Sequence, residues 1–272
     1  MTNPLVFVHG AFCGGWAFDT FRAPFEAAGF ETHAPDLPFH HRESDAHALA
    51  QTGIRHYAKA VADHARGLDA PPVLIGHSMG GLVAQMAAMR IDTAALVLIA
   101  PSSPWGVLPT TLEEHGSSFG LTMLGDYWRR PVAPDYAVAR HATLDRLDSA
   151  SARRTFARFV PESGRVVMEV MQWWLDPSAA TAAPAYRISS PILALAGGKD
   201  RVNPASTVRR IVNRFPGAQA SFHEFPHMSH WMIAEPGWDA VAQLTIAWLE
   251  ERGIAPARGA GKPRRATADA VG

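Results

Sequence analysis

Pro72-Val73-Leu74-Ile75-Gly76-His77-Ser78-Met79-Gly80-Gly81-Leu82 decides how the chain is read. It begins as a short apolar run, the pattern of a buried parallel strand, and ends in a glycine-punctuated turn. The helix-forming run Leu82-Val83-Ala84-Gln85-Met86-Ala87-Ala88 follows. Gly76-His77-Ser78-Met79-Gly80 therefore fits G-x-S-x-G in its meaningful context of strand, tight turn and helix. In that geometry Ser78 sits in a strained backbone conformation that lifts its hydroxyl clear of the sheet, and Gly76 and Gly80 relieve the crowding. The helix that starts there points its N-terminal amides at negative charge developing beside Ser78. An ordinary Gly–Ser turn is the alternative until partners for Ser78 are found.

Working outward, Leu5-Val6-Phe7-Val8 is a second apolar run, ending at His9-Gly10 and a loop Ala11-Phe12-Cys13-Gly14-Gly15-Trp16. Phe18, Phe21, Phe25 and Ala28 then mark a helix stopped by Gly29. Residues 31–38 read as a strand leaving through a proline-rich turn, and residues 53–68 as a helix carrying Ile54, Tyr57, Val61, His64 and Leu68. Residues 94–100 and 191–198 repeat the buried-strand signature; residues 218–225 form a last strand, with helices over 204–215 and 237–252. Strands alternating with helices predict an α/β fold with a mostly parallel sheet covered on both faces. Ligands bind such sheets at the carboxyl ends of the strands, where Ser78 lies.

Residues 105–188 break the alternation, with helical stretches over 149–159 and 165–175 and no clear buried strand. An insertion of this size, placed before the strand at 191–198, is expected to form a helical cap over the functional edge. The predicted organisation is a core of residues 1–104 and 189–252, a cap of 105–188, and a disordered tail of 253–272 that has little to bury. Phe12, Trp105, Trp128, Trp174 and Trp231 are candidates for an apolar substrate pocket; for any single cap aromatic, packing within the cap is the default alternative.

Composition narrows the class. The chain has 272 residues, 47% of them hydrophobic and 18% charged, with a formal net charge of zero. That balance fits a soluble globular protein and steers nothing toward nucleic acid or an anionic membrane. The single cysteine, Cys13, excludes an internal disulfide. The N-terminal residues resemble no signal peptide, and no segment is long and apolar enough to span a bilayer, so a cytoplasmic protein is expected.

A serine hydroxyl needs a base, and the base needs a third group to hold its tautomer. On this elbow the chain order is Ser, then Asp or Glu, then His. Asp200 follows the strand at 191–198, and His227 and His230 follow the last strand. His230 is preferred because His227 directly follows Pro226, where the turn has barely begun; His223 falls within the strand. The oxyanion donors are expected to be the backbone amides of Met79, next to the nucleophile, and Ala11, in the loop after the first strand. His9 reads as a loop-holding residue. His40-His41 lacks further ligands at metal-binding spacing, so neither metal nor cofactor is expected.

Val8-His9-Gly10-Ala11, Gly76-His77-Ser78-Met79-Gly80-Gly81, Gly198-Lys199-Asp200 and His230-Trp231-Met232-Ile233-Ala234-Glu235-Pro236 together resemble the α/β-hydrolases, in the family's order. The chain starts almost at the family's third strand, which implies about six strands. The loop from His9 to Trp16 is similar to that of the methylesterase and hydroxynitrile lyase branch. The lyases carry Thr where this chain has Gly10 and Lys where it has Trp231, so the resemblance implies an esterase. Ser rather than Asp at position 78 argues against epoxide hydrolases and haloalkane dehalogenases.

The expectation is a serine hydrolase that cleaves a small carboxylic ester with an apolar part through an acyl-enzyme. Carbon–carbon bond hydrolysis or thioester hydrolysis uses the same triad, and Arg140, Arg153, Arg158 and Gln172 of the cap are candidates to grip an acidic substrate of that kind. A non-catalytic receptor for a small ligand on the same fold is the rival from another class.

Overall fold

The computed structural model describes residues 2–41, 43–123 and 125–256. Its centre is a six-stranded, fully parallel sheet. In chain order its strands are β1 (Leu5–Val8), β2 (Thr32–His33), β3 (Val73–His77), β4 (Ala95–Ile99), β7 (Ile192–Gly197) and β8 (Ala220–Phe225), with β5 (Pro131–Val132) and β6 (Glu162–Ser163) lying outside the sheet. The spatial order is β2-β1-β3-β4-β7-β8, so β3 is internal.

Because side chains alternate across a strand, each apolar strand feeds two cores. Val6, Val8, Leu74, Leu96, Leu98, Ile192 and Ala194 face one way, toward α3 (Ile54–Arg66), α4 (Met79–Ala88) and α9 (Ala205–Val212). Leu5, Phe7, Val73, Ile75, Val97, Leu193 and Leu195 face the other way, toward α1 (Asp19–Ala28) and α10 (Trp238–Glu251). That double burial is why these strands read as continuous apolar runs. Gly29, at φ 93°, ends α1 in a left-handed turn.

One predicted element differs in extent, and one element was not predicted. The strand expected over 31–38 shrinks to Thr32–His33, since Pro35 and Pro38 have no amide to donate to a ladder. A further short helix, α2 (Ala46–Gln51), was hidden in a polar stretch; Asp45 caps it by accepting from the amides of His47 and Ala48.

Between β4 and β7 the chain forms α5 (Leu112–Thr122), α6 (Tyr136–Ala142), α7 (Ser149–Phe156) and α8 (Gly164–Met171). It also forms a two-residue antiparallel ribbon, β5–β6, that no periodicity announced. After α10, Ile254 is buried against the α1–α10 core, and residues 257–272 of the expected tail lie outside the described residues. Among the described residues no helix is long and apolar enough to cross a membrane.

Candidate active site

β3 delivers the chain into α4 through Ser78, whose φ of 56° and ψ of −126° are strained for a residue with a side chain. The backbone packs so tightly that a Cβ on Gly76 would lie 2.3 Å from the Gly80 carbonyl oxygen. A Cβ on Gly80 would lie 2.0 Å from that of Val8. Only glycine fits either place. The Ser78 amide donates to the Ile99 carbonyl, and the Ser78 carbonyl accepts from Gly81 and Ser102, so both sides of the turn are pinned.

Ser78 Oγ lies 2.9 Å from His230 Nε2, and His230 Nδ1 lies 2.9 Å from Asp200 Oδ2. Ser78 keeps partial exposure, whereas His230 and Asp200 are buried at 2% and 6%. With Nδ1–H directed at the carboxylate, Nε2 is left to accept the serine proton. The other Asp200 oxygen accepts the amides of Val202 (2.7 Å) and Asn203 (2.9 Å), which fixes the carboxylate. Asn203 Nδ2 in turn donates to the Ala100 carbonyl. His227 and His223 are exposed, and neither shares this array.

Met79 follows Ser78 directly, and Ala11 lies in the loop after β1. A Cβ on Gly10, next to Ala11, would meet Ser78 Cβ at 3.0 Å, so the β1 loop lies against the nucleophile. Among the described residues neither the Ala11 nor the Met79 amide donates to a protein acceptor. His9 sets this loop: its Nε2 accepts from the Leu37 amide (2.9 Å) and its Nδ1–H donates to the Gly10 carbonyl (2.8 Å). Burial, with His40 nearby, pushes the His9 imidazole down to about 3, so it stays neutral in that tautomer.

Several supporting residues carried no sequence signal. His77 Nε2–H donates to the His230 carbonyl at 2.8 Å, and burial followed by the neighbouring His230 pushes its imidazole down to about 3. Glu235 is 1% exposed and accepts the Ser229 amide, one residue before the catalytic-site histidine. Burial, then Asp145, pushes its carboxyl up to about 7, against the Ser229 hydrogen bond, His230 and Arg146. A His inside G-x-S-x-G and a Glu five residues after His230 were visible only as positions.

The candidate pocket aromatics fall into two groups. Trp231 is 2% exposed and packs edge-on against His77, with Trp16 and Phe159 around it. Trp105, Trp128 and Trp174 stand on the cap at 46%, 38% and 46% exposure, against the rings of Trp173, Tyr127 and Trp173 respectively. Phe12 is half-buried at φ 64°, and its carbonyl accepts the amide of Val160 from the cap.

A serine on a strained strand–helix turn, paired through histidine to a buried aspartate, defines a serine hydrolase with the arrangement needed for ester hydrolysis. The chain belongs to the alpha/beta hydrolase family, whose model matches residues 5–244. It is 26% identical over 271 residues to a pyrethroid hydrolase of Sphingobium wenxiniae, covering 95% of this chain and 93% of the relative. Its fold is similar to that of a monoacylglycerol lipase from Paleococcus ferrophilus (TM-score 0.67, 20% identity, 93% of this chain and 97% of the other). It is likewise similar to that of a methylesterase from Arabidopsis (TM-score 0.66, 18% identity, 90% and 98%).

Proposed function

We propose that Ser78, His230 and Asp200 form a catalytic triad that hydrolyses neutral carboxylic esters with an apolar part. The observation that carries this is the unbroken array Ser78 Oγ–His230 Nε2 and His230 Nδ1–Asp200 Oδ2, both at 2.9 Å. Ser78 attacks the ester carbonyl as His230 takes its proton, and Asp200 stabilises the imidazolium. The amides of Ala11 and Met79, at the edge of the β1 loop and the start of α4, hold the oxyanion; losing one such donor costs about 3 kcal/mol of transition-state stabilisation. Collapse of the tetrahedral adduct expels the alcohol, which leaves with the His230 proton. Water, deprotonated by His230, then releases the acid and restores Ser78.

The preference for a neutral substrate rests on the cap. Each polar group that would grip an acidic substrate already has a protein partner: Arg140 donates to the Leu144 carbonyl, Arg153 lies over Tyr136, and Arg158 bridges Asp19 and stacks on Trp16. Gln172 accepts the Tyr127 hydroxyl at 2.5 Å. What the cap presents instead is apolar, with Trp105, Trp128 and Trp174, and Phe12 of the β1 loop beneath it, as candidate lining residues. The names of the relatives, a pyrethroid hydrolase, a lipase and a methylesterase, support ester hydrolysis. A core of 1–104 and 189–252, a cap of 105–188 and a cytoplasmic location complete the proposal.

Hydrolysis of p-nitrophenyl esters of increasing acyl length by wild type and Ser78→Ala tests it. Activity should peak at one chain length and fall by at least about 10⁴-fold in the variant at unchanged Tm. Turnover that survives Ser78→Ala would overturn the assignment. Turnover of thioesters or vinylogous diketones but of no oxygen ester would move it to the carbon–carbon hydrolase or thioesterase reading, and tight binding without turnover to a receptor.

A further inference from the structure

Three residues of the insertion, Val160, Glu162 and Ser163, fasten it to the core around the β1 loop. The Val160 amide donates to the Phe12 carbonyl at 2.9 Å, one residue beyond Ala11. Ser163 Oγ donates to the Thr52 carbonyl at 2.6 Å. Between them Glu162 is fully buried. One of its carboxylate oxygens accepts the Tyr57 hydroxyl (2.7 Å) and the Ser163 amide (2.8 Å), and the other pairs with His40 Nε2 at 2.9 Å.

His40 is also committed on its far side, where Nδ1 lies 3.0 Å from the Pro38 carbonyl. A carbonyl only accepts, so Nδ1 carries a proton, and Nε2–H faces a carboxylate. Burial opposes the charge, but the Glu162 carboxylate, its hydrogen bond to Nε2 and the backbone carbonyl at Nδ1 together push the His40 imidazole up from its ordinary value. The same carboxylate adds to burial in pushing up the thiol of Cys13, in the β1 loop. The His40 ring packs against His9, centroid to centroid 5.0 Å. His9 Nδ1–H holds the Gly10 carbonyl. That carbonyl and the Ala11 N–H belong to one planar peptide group, so whatever fixes the first aims the second.

We propose that Glu162 is a positioning residue for the oxyanion hole, acting from the insertion through His40 and His9 on the Gly10–Ala11 peptide. A buried ion pair is weak as a source of stability, since an apolar pair of similar volume serves as well. It is strong as a fixer of position, because each partner has one low-energy arrangement. The proposal rests on the reading of Ala11 as an oxyanion donor.

The test uses the full chain with Glu162→Gln, which keeps shape and hydrogen bonding and removes the charge. On the p-nitrophenyl ester the wild type prefers, kcat should fall about tenfold with KM within about twofold, since the lost interaction acts in the transition state. The affinity of a trifluoromethyl ketone of matching acyl length should fall by the same factor as kcat/KM. Affinity for the corresponding non-hydrolysable ether should not change, whereas a purely structural role would move both ligands together. If Glu162→Gln does not fold, His40→Asn drops the same ion pair and is measured for the same losses. A folded variant with unchanged kcat and unchanged ketone affinity overturns the inference and leaves the esterase reading intact. A wild type without Ser78-dependent turnover overturns both.

Discussion

Two helices follow sheet strands in this chain and meet opposite fates. α4 leaves β3 through Ser78 and is buried along its whole length, packed on β3, β4 and α3. α5 lies in the insertion after β4 and, among the described residues, is fastened near its start. There Thr111 and Glu114 form a capping box, Thr110 meets Ser206, and Thr207 donates to Glu114. Farther along, Phe119 and, just past its end, Met123 are 70% and 79% exposed. Rigidity is concentrated where transition-state geometry must be held. Apolar surface is left open on α5, outside the tightly packed sheet core.

Both helices contain two glycines, and the same substitution separates them. Gly80→Ala should have the largest effect on the molecule. The new Cβ would sit 2.0 Å from the Val8 carbonyl oxygen and 2.5 Å from that of His9, both backbone atoms that cannot turn aside. Relief requires β1 and α4 to part, at a cost above about 3 kcal/mol, and with it the seat of Ser78. Chemical denaturation should show a variant that is unfolded or close to it. A well-folded, active Gly80→Ala enzyme would break the contrast at its rigid end.

A smaller effect sharpens the rigid side further. Glu235 is an unusual core residue, a buried carboxyl whose second oxygen has no partner among the described residues. Its pKa is raised to about 7 from 4.5, so the folded state holds a proton that the unfolded chain gives up earlier. That contribution is fully present below the unfolded value, falls as pH rises from about 4.5 to 7, and is gone above it. Glu235→Gln keeps an acceptor for the Ser229 amide without the ionisation. Its Tm should match the wild type near pH 5 and exceed it at pH 8. The same difference at both pH values would remove Glu235 as the cause. His9 and His77, held neutral at about 3, act in the other direction. Their contribution is lost as pH falls below 6.5, the value they regain on unfolding.

The contrast between the helices also explains what could be read in advance. Gly76, Ser78 and Gly80 were legible because backbone crowding permits few residues there, and sequence records such constraints directly. Asp200 and His230 followed from chain order on the fold, and their hydrogen bonds connect the positions expected. The strands showed as apolar runs because both faces are buried. β5 and β6 did not, being two residues each and paired across long separations (Pro131 with Ser163 at 32 positions, Val132 with Glu162 at 30). Nor did the His40–Glu162 pair, whose partners are separated by 122 positions and belong to no local period. His40 was weighed only as a metal ligand beside His41, for want of any sign of its acidic partner. Trp231 sits in an aperiodic loop, so its burial behind His77 could not be told from a place in an open pocket.

The smallest effect tests the open side of the comparison. Gly116 and Gly120 lie inside α5, and a Cβ on either would meet nothing within 4 Å. Neither has a positive φ, so alanine fits the existing backbone. Glycine in a helix interior costs about 0.5–1 kcal/mol relative to alanine because the unfolded chain loses more freedom on ordering. With no packing to disturb, Gly120→Ala should return that energy to α5 alone. Amide hydrogen exchange within α5 should slow about two- to fivefold while α4 and the sheet keep their rates, since local openings report local stability. Global Tm should move little, because the sheet core sets the cooperative transition. Faster exchange in α5, or a lower Tm, would mean that this helix packs on a surface after all, and its glycines, like Gly76 and Gly80, would then be there to let another group come close.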